Sequence, residues 1–345
     1  EHAPGETEDQ ILVWMPGRKI LFPGDNIYKA FPNLYTIRGT SYRDPVQWAD
    51  SLDRMRALKP EVMVPSHTRP LAGAEAIQST LTNYRDAIRF THDQTVRWMN
   101  QGLTPDEIVE KVKLPAHLAA DPYLAEHYGT VEWSVRSVFD GYMGWFGGDP
   151  AELSFDAPVA RAKEIVALAG GAPQALAAAE KAYADGRWKW AGELSGYVGR
   201  ADAGLKGAAD AVQAKAFRQL GYESVSPKGR NYYLARAAEL EKNAPGWTQI
   251  IGARQGAQAA GLPASALVAT FPVRLNAEKA ASAQSAMGLR LAGEGDWTIA
   301  VRRGVAETSK GLSAQPPLVV AAAKADWGAA LASPQAMSTA LQTGK

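Results

Sequence analysis

Near the start of the chain the apolar residues come in short runs separated by turn formers. ILVWM after Gln10 is closed by Pro16-Gly17, and KILFPGD repeats the pattern up to Pro23-Gly24, which predicts two sheet strands joined by a tight turn. DPVQWADSLDRMRALK then sets Val46, Ala49, Leu52, Met55 and Leu58 at helical spacing, and EVMVPSH reads as a strand ending in a loop. Strand, strand, helix, strand is the order of an α/β layer.

After Pro70 the period changes to that of helices. AEAIQSTLTNYRDAIRFTHDQTVRWMNQG predicts a long amphipathic helix stopped by Gly102, and Thr104-Pro105-Asp106-Glu107 has the form of a capped helix start. VEWSVRSVFDGYMGWF, VARAKEIVALAGG, PQALAAAEKAYADGRWKWAGELSGYV and DAGLKGAADAVQAKAFRQLGY each continue the helical pattern. The small residues around Ala178 to Val198 and Ala209 to Leu220 suggest TPR-like helix pairs, with a period too irregular for an array. Beyond Ala244-Pro245-Gly246, SALVATFPVRLNAEKAASAQSAMGLRLAGEGDWTIAVRRGVAETSKG mixes alternating strands with a helix, and LVVAAAKADWGAALASPQAMSTAL adds a strand and a helix. The expected fold is multidomain α+β.

Composition narrows the classes of function. The chain has 345 residues, 46% of them hydrophobic, enough for two or three cores. Its 37 basic residues against 36 acidic ones leave a formal charge of +1, so it has no global field to hold nucleic acid. No stretch approaches the roughly 18 to 20 uninterrupted apolar residues of a membrane-spanning helix. With zero cysteines, a metal would need His, Asp or Glu ligands. The opening Glu1-His2 carries neither a Met nor a signal-peptide pattern, so any export signal is expected to have been removed or left out.

Three short segments could carry chemistry. HAPGETEDQI contains Glu6, LFPGD ends at Asp25, and VPSH ends at His67; each side chain follows a turn or a strand, where rigid structure can aim it into a shared cleft. Oxygen and nitrogen donors of this kind suit zinc. Singly, Glu6 could equally be a solvated turn residue, Asp25 an Asx-turn residue and His67 a loop histidine.

Together the segments are similar to the third, fourth and fifth metal motifs of the metallo-β-lactamase superfamily, in the same order. Glu6 stands where most of that superfamily has His, and this, with FPNLYTIRGTSYRD, YGTVEW and GYMGWF, resembles the alkyl sulfatase branch. The resemblance implies a fold in three parts. Residues 1–75 would be the C-terminal half of an αββα catalytic sandwich, residues 76–230 a helical dimerisation domain, and residues 245–345 a small SCP2-like α+β domain. It further implies that Glu6 ligates one zinc, Asp25 bridges two and His67 completes the second site, with Arg38 binding the substrate's sulfate. No side chain is assigned a catalytic role beyond the metal-bound water. The superfamily's HxHxDH motif does not occur in this sequence and is expected upstream of Glu1, leaving an incomplete enzyme here.

The resulting expectation is zinc-dependent hydrolysis of alkyl sulfate esters to alcohol and sulfate by a metal-bound hydroxide, in a homodimer of the periplasm or cell exterior, with the cytoplasm as the alternative. Two other functions compete with it. One is a dimerising, lipid-binding module without catalysis; the other is hydrolysis of a different ester by the same two-metal chemistry. His2 is expected to buttress the Glu6 turn and His92 to be solvated, while His127 lies in the segment nearest the implied substrate pocket. Trp133, Phe139, Tyr142, Trp145 and Phe146 are read first as core packing and second as a wall for an alkyl chain. Trp188 and Trp190 could be core, surface or dimer contact.

Overall fold

The computed structural model describes residues 1–242, 244–246, 261–314, 316–331 and 334–343. They form two compact units, Glu1–Ala244 and Pro245–Lys345. Residues 247–260 of the second unit, and Ala332 and Ser333 between its last two helices, lie outside the described residues.

The first unit begins with a four-stranded sheet in the order β1 (Val13–Met15), β2 (Ile20–Phe22), β3 (Val62–Met63), β4 (Leu71–Ala72). β1 and β2 pair antiparallel through the turn at Pro16–Arg18, as the two apolar runs predict. β2 then pairs parallel with β3, the intervening chain crossing over through helix α1 (Pro45–Ala57). Asp44 caps α1 by accepting hydrogen bonds from Val46 and Gln47. The helix buries Ala49, Leu52 and Met55 on its predicted face, together with Trp48, which lies outside that spacing. β1 is an edge strand, and Val13 and Met15 in it, with Ile11 just before it, remain exposed.

The long predicted helix is α2 (Ala74–Met99). Ile77, Leu81, Tyr84, Ala87 and Ile88 pack into the same core as α1 and the sheet, so the core is continuous across residue 75. Thr104 and Glu107 form the expected capping box at the start of α3 (Pro105–Lys111). After a short α4 (Ala116–Ala119), α5 (Val131–Met143) packs on α2 and α3.

The helix pair read around Ala178 to Val198 is present as α7 (Ala172–Ala184) and α8 (Trp188–Ala201), preceded by α6 (Pro158–Leu168). Asp185-Gly186 separates the two: Gly186 has φ +76, a left-handed conformation that favours glycine. α9 (Lys206–Glu223) follows, and then α10 (Pro227–Leu240), which the periodicity did not identify. α10 buries only Gly229 and Ala237, so it has no apolar stripe to betray it.

The second unit is a four-stranded sheet in which Gln284–Leu291, Gly295–Arg302 and Val305–Lys310 form an antiparallel meander. Val319–Ala322 adds parallel to the first of these. Trp297, Ile299, Leu289 and Leu291 pack against Leu267, Val268 and Trp327 from the helices. The α+β character follows the sequence reading, with more helix than expected.

Candidate metal and anion site

The parallel pairing of β2 and β3 brings two of the candidate ligands together. Leu21 is in register with Met63, and Asp25 and His67 each lie four residues further on, so both emerge at the C-terminal ends of adjacent strands. The hydrogen bond from Ser66 N–H to the Gly24 carbonyl (3.4 Å) ties the two loops. His67 Nδ1 is 2.5 Å from Asp25 Oδ1. Gly24 makes the turn with φ +62, in the left-handed region.

Glu6 arrives from a different turn. The chain from Ala3 to Gln10 closes through Ala3 N–H to the Gln10 carbonyl (2.8 Å) and an isolated bridge between His2 and Ile11. His2 Nε2 lies 2.6 Å from the Glu8 carbonyl, so the histidine does brace this turn. Asn26 couples it to the Asp25 turn. Its Oδ1 accepts from Glu6 N–H at 3.2 Å, its Nδ2 donates to the Ala3 carbonyl at 2.7 Å, and its own carbonyl accepts from Trp48 Nε1 at 3.1 Å. Asn26 is wholly buried, and at Gly5 a Cβ would stand 2.0 Å from its Oδ1, so the two turns pack too closely for a side chain there.

Glu6, Asp25 and His67 all line one cavity of about 340 Å³, with Tyr28, Lys29, Ala30 and Tyr128. They do not close into a ligand set: among the described residues no three His, Asp or Glu side chains are gathered tightly enough to hold a metal ion. Glu6 is instead paired with Arg43, whose Nη1 donates to Glu6 Oε1 at 3.0 Å and to the Asn33 carbonyl at 2.6 Å. Burial raises the Glu6 carboxyl above its ordinary range, and Arg43 opposes that shift. Two carboxylates and an imidazole are donor types that suit zinc; Asp25 and His67 are in contact, and Glu6 lines the same cavity.

The surroundings are aromatic and basic. Tyr28 is edge-on to Tyr84 and Tyr128, with centroids at 6.0 and 5.4 Å, and donates no charge to the cavity because burial pushes its phenol well above the usual range. Arg38 is exposed and makes no ion pair among the described residues. Near it stands Lys228, at the start of α10, which sequence reasoning missed. Its Nζ donates to Thr36 Oγ1 at 2.8 Å and sits 3.8 Å from the centre of the Tyr128 ring. Only a fold that returns the chain after 192 positions could reveal this contact.

Other sequence readings are redistributed. His92 is buried, not solvated: Nδ1 contacts Asp93 at 2.7 Å and Nε2 meets the Tyr142 hydroxyl at 2.8 Å, so the helix face that looks polar is covered by α5. His127 is exposed, and the neighbouring Tyr128 is the residue that enters the cavity. Of the aromatic cluster only Phe139 is core; Tyr142 and Trp145 are exposed, so core packing does not account for the group. Trp190 is exposed, while Trp188 packs on Ala182, Ala191 and Ala216.

Comparison with known proteins finds relatives for both parts of the first unit. Residues 1–67 match the metallo-beta-lactamase superfamily model, and residues 104–243 match the alkyl sulfatase dimerisation model. In both matched regions the chain resembles the alkyl sulfatases of that superfamily. It is 44% identical over 327 residues to a linear primary-alkylsulfatase of Pseudomonas sp., covering 92% of this chain and 62% of that protein. To an alkyl/aryl-sulfatase of Saccharomyces cerevisiae it is 35% identical, over 70% of this chain and 38% of the other. The solved structure of a stereoselective inverting sec-alkylsulfatase from Pseudomonas sp. matches with a TM-score of 0.82 and 28% identity, covering 99% of this chain and 54% of that one. The chain spans less than two thirds of the length of these relatives.

Proposed function

We propose that the complete protein hydrolyses alkyl sulfate esters to alcohol and sulfate. The observation that carries this reading is the meeting, at the ends of β2 and β3, of Asp25 and His67 on one cavity with Glu6, beside the cations Arg38 and Arg43. Relatives named as alkylsulfatases support the substrate class.

In this reading Glu6, Asp25 and His67 hold zinc, two ions in all, the remaining ligands coming from the part of the relatives' length that this chain does not span. When bound, zinc would acidify a water and neutralise charge on the ester's oxygens as the bond breaks. The chain's own residues do the rest. Arg38 offers a planar guanidinium fork that matches a pair of sulfate oxygens and keeps its proton. Arg43 fixes the Glu6 carboxylate against burial, and Asp25 fixes the His67 ring through Nδ1. Tyr28 and Tyr128 give the cavity an apolar wall suited to the carbon next to the ester.

We also infer a homodimer formed through the helical region, supported by its match to a dimerisation family. The second unit is read as SCP2-like, a site for long alkyl chains, supported by its α+β sheet with helices packed on one core.

The test is turnover by the full-length, zinc-loaded protein. Sulfate should be released from a medium-chain alkyl sulfate, with carboxylic and phosphate esters turned over at least about a hundredfold more slowly. Absence of sulfate release would sink the reading. Arg38→Met should raise KM for the sulfate ester by about tenfold or more, since it removes a charge-assisted contact.

A further inference from the structure

Arg38 and Arg43 both add to the positive potential at Lys228, and the carboxylate that opposes them, Glu6, is already bonded to Arg43. Lys228 gains no neutralising partner of its own among the described residues. A hydroxyl and a ring face hold it, and neither cancels a positive charge. It also occupies the first turn of α10, where the helix dipole adds further positive potential.

The location is built. Ser226 Oγ donates to the Tyr128 carbonyl at 2.9 Å, and the Tyr232 hydroxyl donates to the Ile37 carbonyl at 3.3 Å, so three residues of one helix start grip the segment carrying Arg38 and the loop carrying Tyr128. Tyr128 in turn lines the cavity of Glu6, Asp25 and His67. The ammonium is thus pinned beside the cavity in surroundings that disfavour a cation. An anion entering there would relieve the repulsion.

We propose that Lys228 is a third cation of the substrate-anion site, supplied by the helical region, and that with Arg38 it binds the sulfate group of the ester, while Arg43 stays paired with Glu6. This rests on the sulfate-ester reading above for the identity of the anion. The role is one of binding and selection. Neutral esters gain nothing from it, while a permanently charged sulfate gains one charge-assisted contact. It also has a pH signature. Burial, with Arg38 and Arg43 next, pushes the Lys228 ammonium down to about 8, against the opposing pull of Glu6. Those groups and Tyr128 are what face it, and binding that depends on the protonated amine should weaken as pH rises through that value.

The experiment compares Lys228→Met and Lys228→Arg with the parent in the full-length, zinc-loaded protein. Inorganic sulfate affinity is measured by calorimetry, and KM and kcat on a medium-chain alkyl sulfate are measured between pH 6.5 and 9.5, as a range about 1.5 units either side of the shifted lysine. Lys228→Met should weaken sulfate binding and raise KM about tenfold with a much smaller change in kcat, and Lys228→Arg should restore most of both. The loss of affinity above about pH 8 should be present in the parent and absent from the Arg variant.

Unchanged sulfate affinity in Lys228→Met would overturn the proposal, and lower thermal stability alongside it would assign the lysine to packing. If the parent binds sulfate through Lys228 but hydrolyses no alkyl sulfate, the anion site stands and the sulfatase reading fails. If the parent is an alkyl sulfatase and Lys228→Met matches it in KM and sulfate binding, the reverse holds.

Discussion

Arg43 and Glu6 are each about nine-tenths buried, with side-chain exposures of 9% and 10%, and that burial sets the cost of separating them. Removing the guanidinium leaves a carboxylate in a poorly solvated place, already pushed toward its neutral form. Arg43→Met is therefore expected to cost about 3 kcal/mol, the scale for breaking a buried pair by deleting one partner. Adding Glu6→Gln in that background should recover part of the loss, and chemical denaturation of the four proteins in the cycle measures the coupling. Equal losses in the single and double variants would mean that Arg43 acts only by packing. Lys228 obeys the opposite sign. Its folded-state pKa lies below the ordinary value, so the unfolded chain holds more protons between about 8 and 10.5, and this group's contribution to stability rises with pH across that window.

At the level of elements, the site depends on how two turns are joined. Asn26 is the joint, and both ends of its amide are used. Asn26→Ala strands the Glu6 N–H and the Ala3 carbonyl, each worth about 1–3 kcal/mol when left unpaired in the interior. The variant is expected to lose stability on that scale and to weaken the proposed zinc binding by the full-length protein, because Glu6 is then no longer fixed relative to Asp25. Thr104→Ala is the contrasting case. It removes the cap of α3 for about 1 kcal/mol and should leave zinc affinity unchanged, which equilibrium dialysis would check.

For the whole molecule, the helical region that matches the dimerisation family, residues 104–243, is the proposed dimer surface. Sedimentation at micromolar concentration should give a dimer; a monomer would remove the support that the helical region lends to that assignment. The second unit makes a separate prediction. Deleting the residues after 245 should raise KM for long-chain sulfates more than for short ones, if it accommodates the chain. Equal activity on both would leave the unit with no part in substrate binding.

Several features were fixed locally and could be read from the sequence. Short apolar runs and turn formers set β1, β2 and their turn; helical spacing set α1 and α2; Thr104 and Glu107 announced a capping box that forms as expected. The candidate ligands were legible because each follows a strand or a Pro-Gly turn. Their fellowship in one cavity was not, since it needs the parallel register of β2 with β3 and the amide of Asn26 between two turns. Likewise His92 is buried because α5 lays Tyr142 over a face that is polar in sequence. Lys228 is the clearest instance. It lies in a helix with almost no apolar stripe, and its neighbours Thr36, Arg38 and Tyr128 are far away in sequence. Periodicity reports which face of an element is apolar, whereas charges converge only when the chain folds back on itself, and that was decided by the tertiary structure.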